Sequence, residues 1–311
     1  MEKRIFTATR PPALLPGDTV GLAAPASCFD RLLFEKGLTV LSGLGFSVRV
    51  PEAVFRRNGY LAGTDAQRAE ALSELWQDPE VKAVFCVRGG YGTMRILPLL
   101  DFGMIAQNPK VFVGFSDITA LLVNFVARSG LCVFHGPVLT SLAHNAADPE
   151  LEAAGIAAAL DPDKPLRLVA EKPEVLAPGR AEGPVLGGNL TILSHLAGTP
   201  YFPDLTGAIL FLEDTAEAPY RVDRMLTHLF LAGLLDKVSG VALGDFCDCG
   251  DKEAIHRVVA AAFAERGVPV VGGFAVGHGA RNLCLPLGIS AELSADDAAL
   301  SFRQPATEGP G

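Results

Sequence analysis

Short apolar runs alternate with amphipathic segments along the first half of this chain. Residues 19–24 form an apolar run that predicts a buried strand, residues 31–44 repeat their apolar positions at helical spacing, and residues 46–50 predict a second strand. Thr64 precedes another helical pattern and has Gln67 three residues later, which is the spacing of a capping box. The sequence therefore predicts consecutive β-α units in this half.

The alternation continues with further strand-like runs at residues 81–87 and 110–114. Such a pattern is typical of a parallel, doubly wound sheet, whose functional site lies at the carboxyl ends of the strands. After residue 285 the pattern changes to short strands separated by turns. We therefore predict an α/β fold with an N-terminal domain built on a doubly wound, largely parallel sheet and a smaller C-terminal α/β domain with a β-rich end.

A proline-rich segment separates the two halves. Residues 161–183 contain four prolines with charged residues between them, a composition typical of a linker or crossover. We predict an N-terminal domain at residues 1–165, a linker at 166–183 and a C-terminal domain at 184–311. Residues 305–311 are expected to form a frayed tail.

Composition and charge narrow the classes of function. The 311-residue chain is 49% apolar and 20% charged, which is typical of a folded domain with a large core and excludes a disordered chain. Its net charge of −9 disfavours a surface for nucleic acid or anionic lipid, which would be basic. No run approaches the roughly 20 apolar residues that span a bilayer, and the charged residues 1–4 lead to Pro11-Pro12 without an apolar signal core. We expect a cytoplasmic protein with neither nucleic-acid nor membrane partners.

The six cysteines are expected to be free thiols, because their scattered positions lack the spacing of a disulfide framework. The segment Cys247-Asp248-Cys249 has one residue between its thiols and no second Cys or His pair after it, unlike the usual zinc-binding spacings. The sequence therefore predicts no metal site. The cysteines are Cys28, Cys86, Cys132, Cys247, Cys249 and Cys284.

The most informative residue is Ser116, in the segment Gly114-Phe115-Ser116-Asp117. It follows the strand-like run 110–114 and precedes residues 117–126, whose apolar positions recur at helical spacing. A serine at such a turn would project its hydroxyl from the sheet edge, beside the free N–H groups of a helix N-terminus, which suit an oxyanion. Ser116 is therefore either a nucleophile or a helix N-cap, where serine is common.

A serine nucleophile needs a base and a third group that orients the base. Among six histidines, His278 is the best candidate because Gly277 and Gly279 frame it after the strand-like run 268–276, and they permit a tight loop at a cleft. His135, at the end of another strand-like run, is the rival base. The sequence at this point leaves both open.

The carboxylate candidate is Glu213, near the end of the apolar run 208–214. An acid that ends an apolar strand is costly unless it is paired, and either a histidine that becomes cationic in a reaction or a structural salt bridge would meet that need. Asp214 and Glu217 are alternatives. The order of nucleophile, acid and base matches that of α/β-hydrolases, yet Ile118 stands where their nucleophile motif has its second glycine, so we do not assign the chain to that fold.

Residues 88–92, with the sequence Arg-Gly-Gly-Tyr-Gly, also follow a strand-like run. A glycine loop here can hold a phosphate, but the spacing is not that of a dinucleotide-binding loop and no P-loop Lys-Ser/Thr follows. Alternatively, the glycines let backbone N–H groups approach a tetrahedral oxyanion, with the N–H of Asp117 as the second donor. A purely structural turn is the third interpretation.

Several short motifs follow one another in a fixed order: Gly-Asp-Thr-Val-Gly-Leu-Ala-Ala-Pro-Ala-Ser at 17–27, Tyr-Leu-Ala-Gly-Thr at 60–64, Arg-Gly-Gly-Tyr-Gly at 88–92, Gly-Phe-Ser-Asp-Ile at 114–118, His-Gly-Pro at 135–137, Gly-Gly-Asn-Leu at 187–190, Leu-Glu-Asp at 212–214 and Gly-His-Gly at 277–279. Taken together, they resemble the LD-carboxypeptidase family of serine peptidases, which includes muramoyl-tetrapeptide carboxypeptidases and microcin-immunity peptidases. The resemblance extends through nearly the whole chain, and several motifs in a fixed order are more specific than any one of them.

The resemblance implies roles for individual residues. Ser116 would be the nucleophile, His278 the base and Glu213 the group that orients the base, the same three that the chemistry favours. The glycine loop would supply an oxyanion donor, which we place at the N–H of Gly90, with Gly89 as the alternative.

The resemblance also implies a reaction. The expected substrate is a murein-derived tetrapeptide that loses its terminal D-Ala during cell-wall recycling, cleaved by a homodimer without metal or organic cofactor. The terminal carboxylate would need a cation or backbone donors, and Arg88, Gly89 and Tyr91 are the candidates for substrate contacts, although Arg88 could equally be a structural or surface residue. The sequence does not separate this activity from cleavage of a peptide-nucleotide antibiotic, the immunity branch of the family.

A non-catalytic protein that binds a peptide or sugar between two lobes is the alternative from another class. Such a protein has no need for a serine, a histidine and a carboxylate to converge. A distance between Ser116 and His278 well beyond hydrogen-bond reach would therefore favour binding over catalysis.

Overall fold

Two β-sheets organise the structure, a computed structural model that describes residues 8–144 and 149–309. Within these ranges, the first sheet has six strands and the second has eight. The charged residues 1–4 and the last two residues of the predicted tail lie outside the described residues. No helix in the described ranges is long and apolar enough to cross a membrane.

The strands and helices are numbered in chain order. The strands are β1 (Thr19–Ala23), β2 (Ser47–Arg49), β3 (Val81–Cys86), β4 (Val111–Gly114), β5 (Val133–His135), β6 (Arg167–Val169), β7 (Glu174–Ala177), β8 (Arg180–Asn189), β9 (Ile209–Thr215), β10 (Gly240–Cys247), β11 (Val270–Gly272), β12 (Leu285–Leu287), β13 (Ser290–Ser294) and β14 (Ala299–Phe302). The α-helices are α1 (Arg31–Gly43), α2 (Asp65–Gln77), α3 (Thr93–Ile96), α4 (Phe102–Gln107), α5 (Thr119–Ser129), α6 (Leu139–His144), α7 (Pro149–Leu160), α8 (Leu190–Leu196), α9 (Pro219–Leu231) and α10 (Lys252–Phe263).

The early elements lie where the hydrophobic pattern predicts them. The strand-like runs become β1 to β4, and the two helical patterns become α1 and α2. The predicted capping box is present, because the Thr64 hydroxyl accepts a hydrogen bond from the Gln67 N–H at 3.3 Å and the Gln67 side chain accepts one from the Thr64 N–H at 3.0 Å. These elements depend on local sequence, which is why the pattern locates them.

The first sheet has the strand order β12-β5-β4-β3-β1-β2. Strands β1 to β5 are parallel, and β12, from the other end of the chain, pairs antiparallel with β5. The chain builds outward from β1 to β2 and then from β3 to β5 on the other side, which is the order of a doubly wound sheet. The loops after β3 and β4 therefore leave the same edge, and they carry Gly90 and Ser116.

The second sheet has the strand order β6-β14-β13-β8-β9-β10-β11-β7. Its four central strands, β8 to β11, are parallel, while the remaining strands pair antiparallel. Two of those strands, β13 and β14, come from the C-terminal end of the chain, as the pattern predicts for a β-rich end. The predicted fold class, a doubly wound parallel sheet with a second α/β unit, is confirmed.

The segment 166–183, predicted to be a linker, contributes strands to the second sheet instead. It contains β6, β7 and the start of β8, which pair with β14, β11 and β13. The prolines of this segment are tolerated because Pro173 precedes β7 and Pro178 lies in the turn between β7 and β8, so neither interrupts a strand. The boundaries at residues 165 and 184 stay a prediction.

The described part of the predicted tail is anchored, not frayed. The Thr307 side chain is fully buried, and its hydroxyl donates a hydrogen bond to the Leu160 carbonyl at 2.8 Å. The N–H of Glu308 donates to the Pro11 carbonyl at 2.9 Å. These long-range contacts have no local sequence signature.

Cys28, Cys86, Cys132, Cys247 and Cys249 are free thiols, as predicted. Burial raises the pKa of Cys86 and Cys132 above the ordinary thiol range. No group of three or more His, Cys, Asp or Glu side chains in residues 8–144 and 149–309 is arranged to hold a metal ion.

Candidate active site

Ser116 lies at a strained turn between a buried strand and a helix. Strand β4 ends at Gly114, a short 3-10 helix spans Ser116–Ile118, and α5 follows directly. The Ser116 backbone has a φ of 63°, in the left-handed region that non-glycine residues seldom adopt. Its side chain does not cap either helix, because Phe115 and Ile118 occupy the N-cap positions without a side-chain cap bond. The N-cap interpretation of Ser116 is therefore wrong.

His278 reaches the Ser116 hydroxyl from the second half of the chain. Its Nε2 lies 3.2 Å from the Ser116 Oγ. The preceding Gly277 has a φ of 120°, and a Cβ there would lie only 2.7 Å from Oε2 of Glu213. Glycine is thus required both by the backbone conformation and by the close approach of the loop to the carboxylate.

Glu213 completes a continuous chain of contacts. It lies near the end of β9, is fully buried, and places Oε2 at 2.6 Å from Nδ1 of His278. Its other oxygen, Oε1, accepts a hydrogen bond from Nδ2 of Asn189 at 3.3 Å. Each Glu213 oxygen therefore has a nitrogen partner, which offsets the cost of burying the charge.

The pKa values of Glu213 and His278 are shifted in opposite directions, so that Glu213 is ionised and His278 is readily protonated. Burial by itself would raise the pKa of Glu213, but the neighbouring His135 and His278 imidazoles lower the pKa to about 2. Burial likewise opposes protonation of His278, yet the hydrogen bond and the charge of Glu213 outweigh it and raise the pKa of His278 above 6.5. Glu213 therefore stays anionic wherever His278 can accept a proton.

The other sequence candidates for the carboxylate are occupied elsewhere. The Asp214 Oδ2 accepts hydrogen bonds from the backbone N–H and the hydroxyl of Thr191, at 2.9 and 2.8 Å. Glu217 forms an ion pair with Arg221 at 3.4 Å, and the Arg221 side chain is half exposed. Neither carboxylate contacts His278 in the described structure.

His135, the rival base, lies on the other side of Glu213 from His278. Its ring is fully buried, and its Nε2 is 3.8 Å from Oε1 of Glu213, which is too long for a hydrogen bond. No hydrogen bond joins it to Ser116. The geometry therefore gives His278, and not His135, direct access to the Ser116 hydroxyl.

The glycine loop after β3 packs directly against the Ser116 turn. A Cβ at Gly89 would lie 2.9 Å from the Ser116 Cβ, and Gly90, with a φ of 102°, would place one 2.5 Å from the Ser27 Oγ. Side chains at these two positions would collide with the turn or its neighbour. The absence of side chains therefore keeps backbone N–H groups close to the serine.

Asp117 ties the Ser116 turn to the glycine loop. Its Oδ2 accepts a hydrogen bond from the Thr93 N–H at 2.9 Å, while the Thr93 hydroxyl donates to the Asp117 carbonyl at 2.5 Å. Burial raises the pKa of the Asp117 carboxyl, although the bonds from Thr93 oppose this effect. The Asp117 N–H belongs to the first turn of the 3-10 helix, where N–H groups have no partner within the helix.

Arg88 and Tyr91 have structural contacts on the outer side of the same loop. Arg88 donates from Nη1 to the Cys28 carbonyl at 2.7 Å, and the Tyr91 N–H donates to the Ser27 hydroxyl at 3.1 Å. The Tyr91 ring is partly exposed and lies 5.9 Å from the ring of Tyr60. Both residues remain accessible beside the Ser116 turn.

Asn189 has no role predicted from the sequence, although its motif, Gly-Gly-Asn-Leu at 187–190, is part of the resemblance. Asn189 ends β8 opposite Glu213, and its Nδ2 donates to both Glu213 and Asp214. Its backbone N–H also donates to the Thr119 hydroxyl at 3.1 Å, which joins the second sheet to α5. The sequence signal that could have indicated a special position here is the pair Gly187-Gly188 before Asn189. Both glycines have a positive φ in the structure.

The arrangement has the parts of a nucleophilic hydrolase. A hydroxyl, an imidazole and a buried carboxylate are connected in series, and they lie beside a glycine loop and the N-terminus of a helix. Both halves of the structure contribute, because the turn after β4 supplies the hydroxyl while β9 and the loop after β11 supply the other two groups.

Comparison with known proteins supports this interpretation at the level of the family. The model of the LD-carboxypeptidase N-terminal domain matches residues 20–136, and that of the C-terminal domain matches residues 182–293. The probable murein peptide carboxypeptidase of Bacillus subtilis is 36% identical over 96% of this chain and 96% of its own length. The murein tetrapeptide carboxypeptidase of Pseudomonas aeruginosa is 36% identical over 88% of this chain and 92% of its own.

Solved structures give the same result. The microcin self-immunity protein MccF, bound to glutamyl sulfamoyl guanosine, superposes with a TM-score of 0.89 at 26% identity, covering 96% of this chain and 99% of its own. The muramoyltetrapeptide carboxypeptidase of Oxalobacter formigenes superposes with a TM-score of 0.77 at 30% identity, covering 94% and 100%. Since both halves of the chain match in sequence and in structure, this protein belongs to the LD-carboxypeptidase family of peptidases.

Proposed function

We propose that this protein is a serine LD-carboxypeptidase that hydrolyses the amide before the terminal D-amino acid of a murein-derived tetrapeptide. The observation that carries the proposal is the series of contacts from Ser116 to His278 to Glu213, at 3.2 and 2.6 Å. Such a series activates a hydroxyl that is otherwise a weak nucleophile at neutral pH.

In the acylation step, the Ser116 Oγ attacks the carbonyl carbon on the L-centre side of the scissile bond, and Nε2 of His278 takes the hydroxyl proton. The tetrahedral intermediate collapses when His278 returns that proton to the leaving nitrogen, so that the C–N bond breaks and D-Ala departs as a free amine. Glu213 remains ionised and stabilises the transient imidazolium. This division of roles follows from the pKa of Glu213, about 2, and the raised pKa of His278.

Deacylation repeats the cycle with water. His278 takes a proton from the water as its oxygen attacks the acyl carbon, then returns the proton to the Ser116 Oγ as the ester bond breaks. The released tripeptide carries the new carboxylate. We assign the negative oxygen of both tetrahedral intermediates to the N–H groups of Gly90 and Asp117, because the loop and the helix start lie against Ser116.

The substrate-binding residues that we propose lie on the loop after β3. Arg88, Gly89 and Tyr91 flank the oxyanion donor, and the Arg88 guanidinium is the cation for the terminal carboxylate of the substrate, since it uses Nη1 for the Cys28 carbonyl and has further N–H donors. We further propose a cytoplasmic homodimer acting in cell-wall recycling, without metal or organic cofactor.

Cleavage of a peptide-nucleotide is the second candidate function. It is favoured by the TM-score of 0.89 to MccF, which exceeds the 0.77 to the muramoyltetrapeptide carboxypeptidase. Both candidates use the same three residues. A non-catalytic binding protein, by contrast, gains no support, because the 3.2 Å between Ser116 and His278 is within hydrogen-bond reach.

Incubation with disaccharide tetrapeptide and mass spectrometry for D-Ala tests the proposal. The wild type should release D-Ala, Ser116→Ala should not, and Ser73→Ala, a matched change on α2, should behave as the wild type. A parallel reaction with an aminoacyl sulfamoyl nucleotide separates the two substrates. Nucleotide cleavage without D-Ala release would assign the immunity-type activity, and D-Ala release by Ser116→Ala would refute the serine mechanism.

A further inference from the structure

His135 is a buried imidazole whose two ring nitrogens have no hydrogen-bond partner within the described residues. It ends β5, and its backbone pairs with Gly114 of β4 and Leu285 of β12. Buried polar side-chain atoms in native proteins nearly always have a partner, so an exception calls for an explanation. An apolar side chain would fill the same place without leaving two nitrogens unpaired.

Within the described residues, the polar contact of the His135 ring is with Glu213, and its other ring contacts are aromatic. The rings of Phe115 and Phe211 meet it edge to face, with centroids 5.9 and 5.1 Å away. The His135 Nε2 lies 3.8 Å from Oε1 of Glu213, about 0.8 Å beyond a typical N–H···O hydrogen bond of ~3.0 Å. Hydrogen bonds between catalytic groups often tighten only in the complex with substrate.

Oε1 of Glu213 can accept a hydrogen bond from His135 in addition to the one from Asn189. An ionised carboxylate can accept about four hydrogen bonds. The described contacts of Glu213 are His278 on Oε2 and Asn189 on Oε1. If the Nε2 of His135 carried a lone pair, it would face the carboxylate lone pairs and repel them. The tautomer with its proton on Nε2 turns the same contact into an attraction.

We propose that His135 is a positioning residue of the catalytic triad, whose Nε2–H holds Oε1 of Glu213 so that Oε2 stays aligned on His278. The inference rests on the proposed serine mechanism and adds a second imidazole to it. His135 and Asn189 fix one oxygen of the carboxylate from two directions, and His278 uses the other. The carboxylate therefore cannot rotate away when the proton moves from Ser116 to His278.

The test compares the rate at which a fluorophosphonate probe labels Ser116 in a set of variants. His135→Phe keeps an aromatic ring but removes the donor, whereas His135→Gln places an amide N–H near the original Nε2. We expect labelling of His135→Phe to be ~10–100-fold slower than that of the wild type, and His135→Gln to recover most of that loss. With tetrapeptide substrate, kcat should fall while KM stays near its wild-type value.

A packing control comes from the neighbouring residue. Phe134→Leu disturbs the same strand, where Phe134 is fully buried, and it should lower the melting temperature without slowing the labelling. If His135→Phe does not fold, His135→Asn replaces it, because an asparagine is too short to reach Glu213. His135→Gln should then label faster than His135→Asn.

The pH profile of labelling is a readout that a packing role would not move. Since Glu213 raises the pKa of His278, a loosened Glu213 should shift the acid limb of the profile to lower pH in His135→Phe. The other ionisable groups near this carboxylate, Asp214 on β9 and Asp245 on β10, are unchanged in every variant.

The outcomes separate this inference from the mechanism on which it rests. Labelling of folded His135→Phe at the wild-type rate, or equal slowing in His135→Gln and His135→Phe, would overturn the positioning role and leave the serine mechanism intact. If the probe does not label Ser116 of the wild type, the serine mechanism fails and the role of His135 fails with it.

Discussion

Two carboxylates near the ends of neighbouring parallel strands have opposite ionisation behaviour. Glu213 on β9 is fully buried and has a pKa of about 2, whereas Asp245 on β10 is only partly buried and has a pKa of about 6. The two strands pair in parallel, with a register shift between Leu243 and Phe246 that places Asp245 at an irregularity beside Glu213. Greater burial thus accompanies the lower pKa, the reverse of what desolvation alone would produce.

The difference lies in the partners. Glu213 receives the His278 and Asn189 nitrogens and faces His135. Among the described residues, no hydrogen bond or ion pair involves the Asp245 carboxylate, so burial, followed by the negative charge of Glu213, raises its pKa. In this site, therefore, the pKa of a carboxylate depends more on the hydrogen-bond donors around it than on its solvent exposure.

The largest expected effect is on turnover. Glu213→Gln keeps the shape of the side chain but removes the charge that stabilises the His278 imidazolium, so kcat should fall by ~10³–10⁴-fold. The matched variant Asp245→Asn should stay near the wild-type kcat, because its carboxylate does not contact the base. Steady-state D-Ala release measures both, with circular dichroism as the check on folding. Similar losses in the two variants would contradict the comparison.

The wild-type activity should itself depend on pH through His278. The base must be neutral to accept the Ser116 proton, and its pKa is raised by Glu213, so activity is lost as the pH falls through a value above 6.5. Below that midpoint kcat/KM should fall about tenfold per pH unit. A profile of kcat/KM from pH 5 to 9 measures the midpoint, and a midpoint below that of a free imidazole would rule out the pairing.

Removing one donor should make Glu213 behave more like Asp245. Asn189→Ala deletes the Nδ2–H bond to Oε1, and we expect a ~10-fold loss in kcat. The same change removes the N-cap of α8, which should cost about 1 kcal/mol of stability. Asp251→Ala, which removes the N-cap of α10, is the control for that cost. An equal loss of kcat in both variants would attribute the effect to capping alone.

Asp245→Asn should alter stability in a pH-dependent direction. The native pKa of about 6 exceeds the ordinary 3.8, so the native state binds more protons than the unfolded state between these values. The contribution of Asp245 to the free energy of unfolding therefore decreases as the pH rises from about 3.8 to about 6. Above pH 6, Asp245→Asn should be more stable than the wild type. Because the carboxyl is partly exposed, we expect a gain of at most about 1 kcal/mol. Urea unfolding at pH 4 and pH 8 measures it, and a variant less stable at pH 8 would contradict the assignment.

The smallest expected effect is that of a chelator. Neither carboxylate belongs to a cluster with metal-ligand geometry in the described residues, so EDTA should leave D-Ala release unchanged. Inhibition by EDTA that zinc reverses would replace the serine mechanism with a metal-dependent one.

Strand and helix positions in the first half could be read from the chain because their signals are local. The capping box at Thr64 and Gln67 and the strand-to-helix turn at Ser116 each need only a few consecutive residues. The strands β6 and β7 were missed because prolines are signals of irregular structure. Only the sheet shows that β6 and β7 pair with β14 and β11, which lie far away in the chain, and that the prolines of this segment fall in the connections between strands.

By itself, the sequence determined the β-α order, the doubly wound class and a short set of candidate groups: Ser116, His278 or His135, and Glu213 or its acidic neighbours. Tertiary structure alone decided which of them lie in contact. It brings the turn after β4, β9 and the loop after β11 together and places His278 between Ser116 and Glu213. His135 lies near the other oxygen of Glu213, at 3.8 Å. The physical reason is that hydrogen bonding and desolvation act over a few ångströms in space, whereas these residues are separated by up to 162 positions in the chain.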